Sequence, residues 1–458
     1  MSSNELDVPA LRARLDGSLV LPGDPSWDDA RQAWQLTVDQ HPDAVVLAAS
    51  AADVVAAVEL ARGAGLRVAA QGTGHNASPL GSLAGTVLIK TSGMRGVVID
   101  PDARTARVEA GALWADVTAA AAPYGLAGLA GTAADVGVVG YSLGGGLSWL
   151  ARSRGLAANQ VVAAEVVTAD GVLRRVDADS DPDLFWAIRG GGGSFAVVTA
   201  LEFRLVELGA PLGGTLFWPI ERAAEVLHAW RGWTATLPDE VTSVGRLLRF
   251  PMMEEVPEAV RGRSFVVVEL VSALDGGATD AALAPLRALG PVMDTVHPCT
   301  GAELAEIHMD PPGPMPGTGD GFLLDALPAE ALDAFLSVVG PEADFPVLSA
   351  EVRHLGGALA PQPAAGGAVS GFDAAFAVFC VSITPVEAAV KATHRGLDAL
   401  SEAMRPWSAP TGYLNFAERA GGAPFADPAT LDRLGRVKAA YDPAGTIRGN
   451  HPVAPVPA

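Results

Sequence analysis

Cysteine is nearly missing from this chain. Cys299 and Cys380 are the two among 458 residues, with no CxxC pair, so a disulfide framework and a cysteine-rich zinc site are excluded and no metal site is expected. Positive charge is also short. Lys and Arg number 31 against 52 Asp and Glu, a formal charge of −21, which argues against nucleic acid or an anionic membrane as partner. No apolar run is long enough to span a bilayer, because Asp53 and Glu59 interrupt the Ala/Val-rich stretch that comes nearest. Asn4, Glu5 and Asp7 precede any apolar run, unlike a secretory leader, and a cytoplasmic protein is the default expectation. Neither a P-loop nor a Rossmann Gly-x-Gly-x-x-Gly unit with its downstream acid occurs.

What remains is a folding chain of more than one unit. Apolar content of 49% with 18% charged residues describes a globule, and the length calls for two lobes. Glycine clusters in two stretches, Ala70-Gln71-Gly72-Thr73-Gly74-His75-Asn76 and the run from Ala130 to Gly146. Bare peptide N–H groups gathered by such bends can hold an anion without a lysine. Two of them near short strands suggest a cradle for a diphosphate-bearing cofactor.

Periodicity supplies the elements. A helix is expected over Ala30 to Val38, a strand at Val45 to Ala48, and a helix capped by Ser50, with Asp53 closing a capping box and Gly65 ending it. Strands follow at Leu66, Val87 to Lys90, Gly96 to Ile99 and Thr105 to Glu109, then a helix over Ala115 to Ala122. Asp170-Gly171 marks a hairpin, Pro182 opens a helix ending at Arg189, and Val197 to Leu205 reads as an alternating strand. Beyond Gly209 to Gly214 the pattern changes. Strands at Thr215 to Ile220, Thr242 to Phe250, Arg263 to Ala273, Val347 to Arg353 and Ala374 to Ile383 are expected. They are interleaved with helices at Glu221 to Thr236, Thr279 to Leu289, Pro328 to Val339 and Val386 to Met404. A proline-rich loop at Pro311 to Pro316 and the Gly356-Gly357 and Gly366-Gly367 pairs are read as shaping an entrance.

The first glycine bend, Gly140-x-x-Leu143-Gly144-Gly145-Gly146, Leu156-Ala157-Ala158-Asn159, Arg189-Gly190-Gly191-Gly192-Gly193-Ser194-Phe195 and Tyr441-Asp442-Pro443 stand in that order. Together they resemble the berberine-bridge-enzyme-like flavoproteins of the vanillyl-alcohol-oxidase superfamily, with its PCMH-type FAD domain. The pattern is most similar to the single-histidine members of the 6-hydroxy-D-nicotine oxidase type. The resemblance runs from about Pro42 to the end and implies a two-lobed α+β fold. Residues 1–206 would form the FAD lobe (its core about 42–206), and 207–409 a substrate domain with an antiparallel sheet covered by helices. Residues 410–458 would be a segment returning to the FAD lobe.

The resemblance also implies roles. His75 matches the histidine bonded to the flavin 8α-methyl carbon. Ala133 stands where bicovalent relatives carry a cysteine, so FAD would be tethered through His75 alone. Gln71, Gly72, Thr73, Gly74, Asn76, Gly131, Thr132, Gly137, Gly140, Gly144 and Gly145 are read as the backbone cradle. Val136 matches a position controlling oxygen access, and Tyr141, Val198, Asn415 and Asn450 match flavin contacts. Gln71 replaces a common arginine and Ser194 a common asparagine. Many relatives place a catalytic tyrosine at the end of Tyr-x-Asn-Tyr; here Tyr413-Leu414-Asn415-Phe416 ends in a phenyl ring that cannot take a proton. Glu351 is the first substitute base, as a shielded carboxylate tuned toward neutral pH, with Tyr413 and His354 behind it.

The implied reaction is hydride transfer from a C–H bearing a hydroxyl or amine to flavin N5, with reoxidation by molecular oxygen to peroxide. The substrate would be a small molecule; neither its identity nor the oligomeric state is legible. Alternatives are a dehydrogenase using another acceptor and a non-catalytic flavin-binding protein. A serine hydrolase built on Gly140-Tyr141-Ser142-Leu143-Gly144 is more remote, because that elbow needs a strand, a sharp turn and a helix.

Overall fold

The computed structural model describes residues 6–254, 256–345, 347–362 and 366–456; Asn4 and Glu5 lie outside them. The chain opens on a four-stranded sheet in which Ala44–Leu47, Thr86–Lys90 and Arg67–Gln71 run parallel and Ser18–Val20 is an antiparallel edge. The helix Ala51–Gly63 packs on it through Val54, Ala57, Val58 and Ala61. Ser50 caps that helix by accepting from the Asp53 N–H. Asp53 does not close the expected box: its carboxylate accepts instead from the N–H groups of Ala49, Asp16 and Gly17, tying the helix to the preceding chain. The helix expected over Ala30 to Val38 spans only Trp27–Arg31. Beyond it the backbone N–H groups of Trp34 and Gln35 donate to Thr73 and Gly74 of the first glycine bend, and that pairing replaces helical bonds.

A second, five-stranded antiparallel sheet holds Val97–Asp100, Thr105–Glu109, Val197–Arg204, Val161–Val167 and Leu173–Asp177. Val197–Arg204 is its central strand and is buried on both faces over most of its length, so the expected alternation is lost. The tail returns here. Thr446 and Arg448 bond to Val68 beside the parallel sheet, and the helix Pro428–Tyr441, unforeseen in the sequence, places Leu434 and Val437 against the core beside Phe185 and Ile188.

The third sheet is antiparallel with eight strands, among them Leu212–Pro219, Ser264–Ser272, Val241–Arg249, Ser349–His354, Phe376–Ile383 and Gly317–Leu324. The last of these falls where only a loop and then a helix were expected. Helices Ala223–Thr234, Gly276–Arg287, Ala329–Val339 and Glu387–Met404 cover one face and share a core with Leu247, Ala350, Val352, Val378 and Cys380. Strand side chains alternate, so Arg246, Glu351, Arg353, Phe379 and Val381 turn to the opposite face, where they line a cavity. Among the described residues no helix is long and apolar enough to cross a membrane.

Candidate active site

The cavity occupies about 710 Å³, within the range of small-molecule and cofactor sites. Both glycine bends line it from one side and the eight-stranded sheet from the other. The bends meet where His75 of the first lies 3.5 Å from Asp135 of the second, and a Cβ added to Gly137 would reach van der Waals contact with the Thr73 Cγ2 atom at 3.6 Å. Gly74 sits at φ +87°, and a Cβ there would press on Ala33, so the turn that presents His75 requires glycine. Gly144 lies so close to Asn415 that an added methyl would overlap its side-chain oxygen. That approach lets Asn415 donate to Tyr141 O, and Asn415 Nδ2 also lies 3.0 Å from the Tyr413 hydroxyl.

Every residue read as cofactor-binding lines this cavity except Gly145. Gly145 turns the chain behind the wall at φ +116°, facing Tyr413 and Leu156. Ser194 is also behind it, bonded to the tail at His451 and Val453. Gln71 lacks the charge of the arginine common in relatives, and a cation stands behind it. The Lys90 ammonium donates to Gln71 Oε1 at 2.6 Å and to Gln32 O at 2.7 Å, and burial lowers its pKa to about 8. Pro311 and Pro312 line the cavity, as the entrance reading expects. The paired glycines do not: Gly357 packs on Arg152 and Gly367 on Arg189. Ser142 is buried in the last turn of the short helix Val138–Leu143, away from any strand-to-helix corner, which removes the basis of the hydrolase elbow.

The residues fit a bound flavin in one testable respect: polar atoms in the cradle are buried and unbonded. His75 Nε2, Asn76 Oδ1 and the Tyr141 hydroxyl have no hydrogen-bond partner. His75 is otherwise held firmly. Its Nδ1 meets the Thr73 hydroxyl at 2.7 Å, Trp34 stacks on its ring at 4.1 Å, and Asp135 lies 3.5 Å from Nε2. Ala133 lines the cavity, whereas neither Cys299 nor Cys380 does.

The catalytic candidates separate. Glu351 and Tyr413 line the cavity and His354 does not. His354 instead packs its ring nitrogens on Arg152, and burial beside that guanidinium lowers its pKa to about 3. Glu351 is almost fully buried, with Arg353 Nε at 2.6 Å on one oxygen and His308 Nε2 at 2.9 Å from the other. Burial alone would raise its pKa, but Arg353 and His308 outweigh burial and hold the carboxyl far below the usual range. The expectation of a carboxylate tuned toward neutral pH is therefore corrected. Burial drives the Tyr413 phenol above its ordinary value, so it stays protonated.

Sequence reasoning missed most of this charged wall. His308 also contacts Glu269 through Nδ1, and Glu269 pairs with Arg246 at 2.9 Å. Arg246 faces Glu351 across adjacent strands in register. His308 is raised to about 9: burial and Arg246 lower it, and Glu269, Asp310 and Glu351 more than compensate. Five charged groups thus alternate in sign, from Arg353 through Glu351, His308 and Glu269 to Arg246. Glu418, also unforeseen, lines the cavity beside Phe416.

Residues 42–177 match the FAD binding domain family. Over that segment the chain carries an FAD binding domain. An uncharacterized FAD-linked oxidoreductase of Bacillus subtilis is 32% identical over 237 residues, 51% of this chain and 52% of that protein. The (R)-6-hydroxynicotine oxidase of Paenarthrobacter nicotinovorans is 33% identical over 205 residues, 44% of this chain and 45% of its own length. The chain thus spans about half the length of these curated relatives in the matched segment. The fold likeness is wider. The BBE-like 1 protein of Physcomitrella patens superposes with a TM-score of 0.84 at 18% identity, over 98% of this chain and 99% of its own. The 6-hydroxy-D-nicotine oxidase of Arthrobacter nicotinovorans gives 0.81 at 23%, over 99% and 100%. The PCMH-type fold with its large antiparallel sheet is common to all three.

Proposed function

We propose that this chain is an FAD-linked oxidase acting on a small molecule whose reacting carbon carries a hydroxyl or amine. The observation that carries the reading is one cavity walled by two glycine bends on one side and by Glu351 with its charged partners on the other. The N–H groups of the two bends would hold the diphosphate, helped by the positive charge of Lys90 behind Gln71. His75 would tether the ring through an imidazole nitrogen, and Tyr141, Asn415 and Asn450 would fix its orientation. When bound, FAD supplies a two-electron acceptor and a route onward to oxygen, with peroxide as product.

The chain's own residues then do the positioning. Arg353 and Arg246 line the cavity with His308 between them, and Glu351 and Glu269 keep these cations charged and oriented. A heteroatom on the substrate would lie against them. Leu248, Phe250, Met253, Val260 and Met309 form an apolar collar on the same cavity, which excludes water and strengthens each polar contact inside. The reading is tested by incubating purified protein with alcohols, sugars and cyclic amines and assaying peroxide. Peroxide formed with one class supports it. Flavin reduction without peroxide would assign a different acceptor, and a flavin inert to all of them would make the protein a binder.

A further inference from the structure

We propose that Glu418 is the catalytic base of this cavity, taking the proton from the substrate's hydroxyl or amine. The inference rests on the flavin-oxidase reading and adds the group that reading leaves unassigned. Phe416 stands where a phenol would otherwise serve, and Tyr413 stays protonated. Glu351 has both oxygens committed to cations. Glu418 follows Phe416 by two residues and lines the same cavity. Its Oε2 accepts from the Gly319 N–H at 3.0 Å, and it makes no ion pair among the described residues. Of the three carboxylates on the cavity, Glu351 is therefore pinned by charge, Asp310 accepts from the Thr132 hydroxyl and lies 4.0 Å from His308, and Glu418 is left with lone pairs to spare.

The surroundings of Glu418 explain the difference. On the strand Gly317–Leu324, Asp320 accepts from the Glu418 N–H at 3.2 Å and adds negative charge. Arg419, next in the chain, spends its guanidinium on Asp320 and on Asp398 of the helix Glu387–Met404, at 2.6 Å each. His451 of the tail meets Ala417 O at 2.9 Å, and burial lowers its pKa, so it adds no charge at neutral pH. Arg353 sits over the Phe416 ring, 5.2 Å from its centroid, already paired with Glu351. Burial with Asp320 nearby, opposed by the Gly319 N–H, moves the Glu418 carboxyl up to about 7. A base of that strength is matched to proton transfer at neutral pH.

In the balanced step, the O–H or N–H bond gives its proton to Glu418. The neighbouring C–H bond delivers hydrogen and electron pair as hydride to the oxidised flavin, and a C=O or C=N bond forms. Glu418 then returns its proton to water.

Two readouts test this. Infrared difference spectra of the as-purified protein, titrated through the neutral range without substrate, should show a carboxylic C=O band lost near pH 7 and missing in Glu418→Gln. Anaerobic bleaching of the flavin by 6-hydroxynicotine or by a glucooligosaccharide should show an acid limb at the same pH. Glu418→Gln should lose that limb and slow bleaching by about 100-fold or more, whereas Glu351→Gln should keep the limb. A Glu418→Gln protein with the wild-type limb, or a band unchanged by the substitution, overturns the assignment. A protein that binds no flavin overturns the oxidase reading itself, and a titrating Glu418 would then lack the reaction proposed for it.

Discussion

Glu351 Oε2 and His308 Nε2 lie 2.9 Å apart at the centre of the cavity wall, both side chains almost fully buried. Each has a second partner of opposite charge, Arg353 for the glutamate and Glu269 for the histidine. Replacing His308 with alanine would remove the cation between two buried carboxylates and leave each with one arginine. A loss of about 3–5 kcal/mol in unfolding free energy is expected, read from denaturant titrations. A variant as stable as wild type would mean that the wall is not coupled as described.

The same pair sets a pH dependence. His308 binds its proton more tightly folded, with a pKa of about 9, than at its ordinary 6.5. Its contribution is therefore complete below pH 6.5 and lost as pH rises through 9. Melting temperatures should fall more steeply across that window in wild type than in His308→Gln. Parallel curves would contradict the protonated state at neutral pH.

Lys90 offers a test of the cradle. Its ammonium reaches the cavity only through Gln71, so Lys90→Met should weaken flavin retention while leaving the glycine bends in place. The Lys90 pKa of about 8 predicts that His75→Ala with Lys90 intact also binds FAD more weakly above that pH, as the charge is lost. Equilibrium dialysis of free FAD against the His75→Ala background, with and without Lys90→Met, measures this without turnover.

Gly144→Ala should cost roughly 1–3 kcal/mol, the scale of forced overpacking, because the new methyl displaces Asn415 from Tyr141 and Tyr413. Thermal unfolding reads the cost directly, and an unchanged Tm would show that Asn415 can move freely.

The glycine bends were legible because their demand is local. A turn at φ +87° that carries His75 can be written in few residues other than glycine. The charged wall was not legible: Arg246, Glu269, His308 and Glu351 are scattered over more than a hundred positions, and strand register together with the His308 loop brings them together. Gly317–Leu324 escaped notice because its three glycines argue against a strand. It exists through pairing with Phe376–Ile383, and Gly321 is needed where Phe416 crosses it, 2.9 Å from an added Cβ. The tail helix Pro428–Tyr441 did carry a signal, Asp427 as cap with Pro428 at the first position. Trp34 and Gln35 read as helical by pattern, yet their N–H groups find better partners on the glycine bend.

The central claim is that this cavity holds FAD tethered at His75. The most direct measurement is the absorbance and fluorescence of the purified chain before and after acid precipitation, beside His75→Ala. The account predicts yellow protein whose fluorescence stays with the polypeptide, and a variant that releases its flavin to the supernatant. Wild-type flavin that washes out in acid, or protein that stays colourless when supplied with FAD, would contradict it.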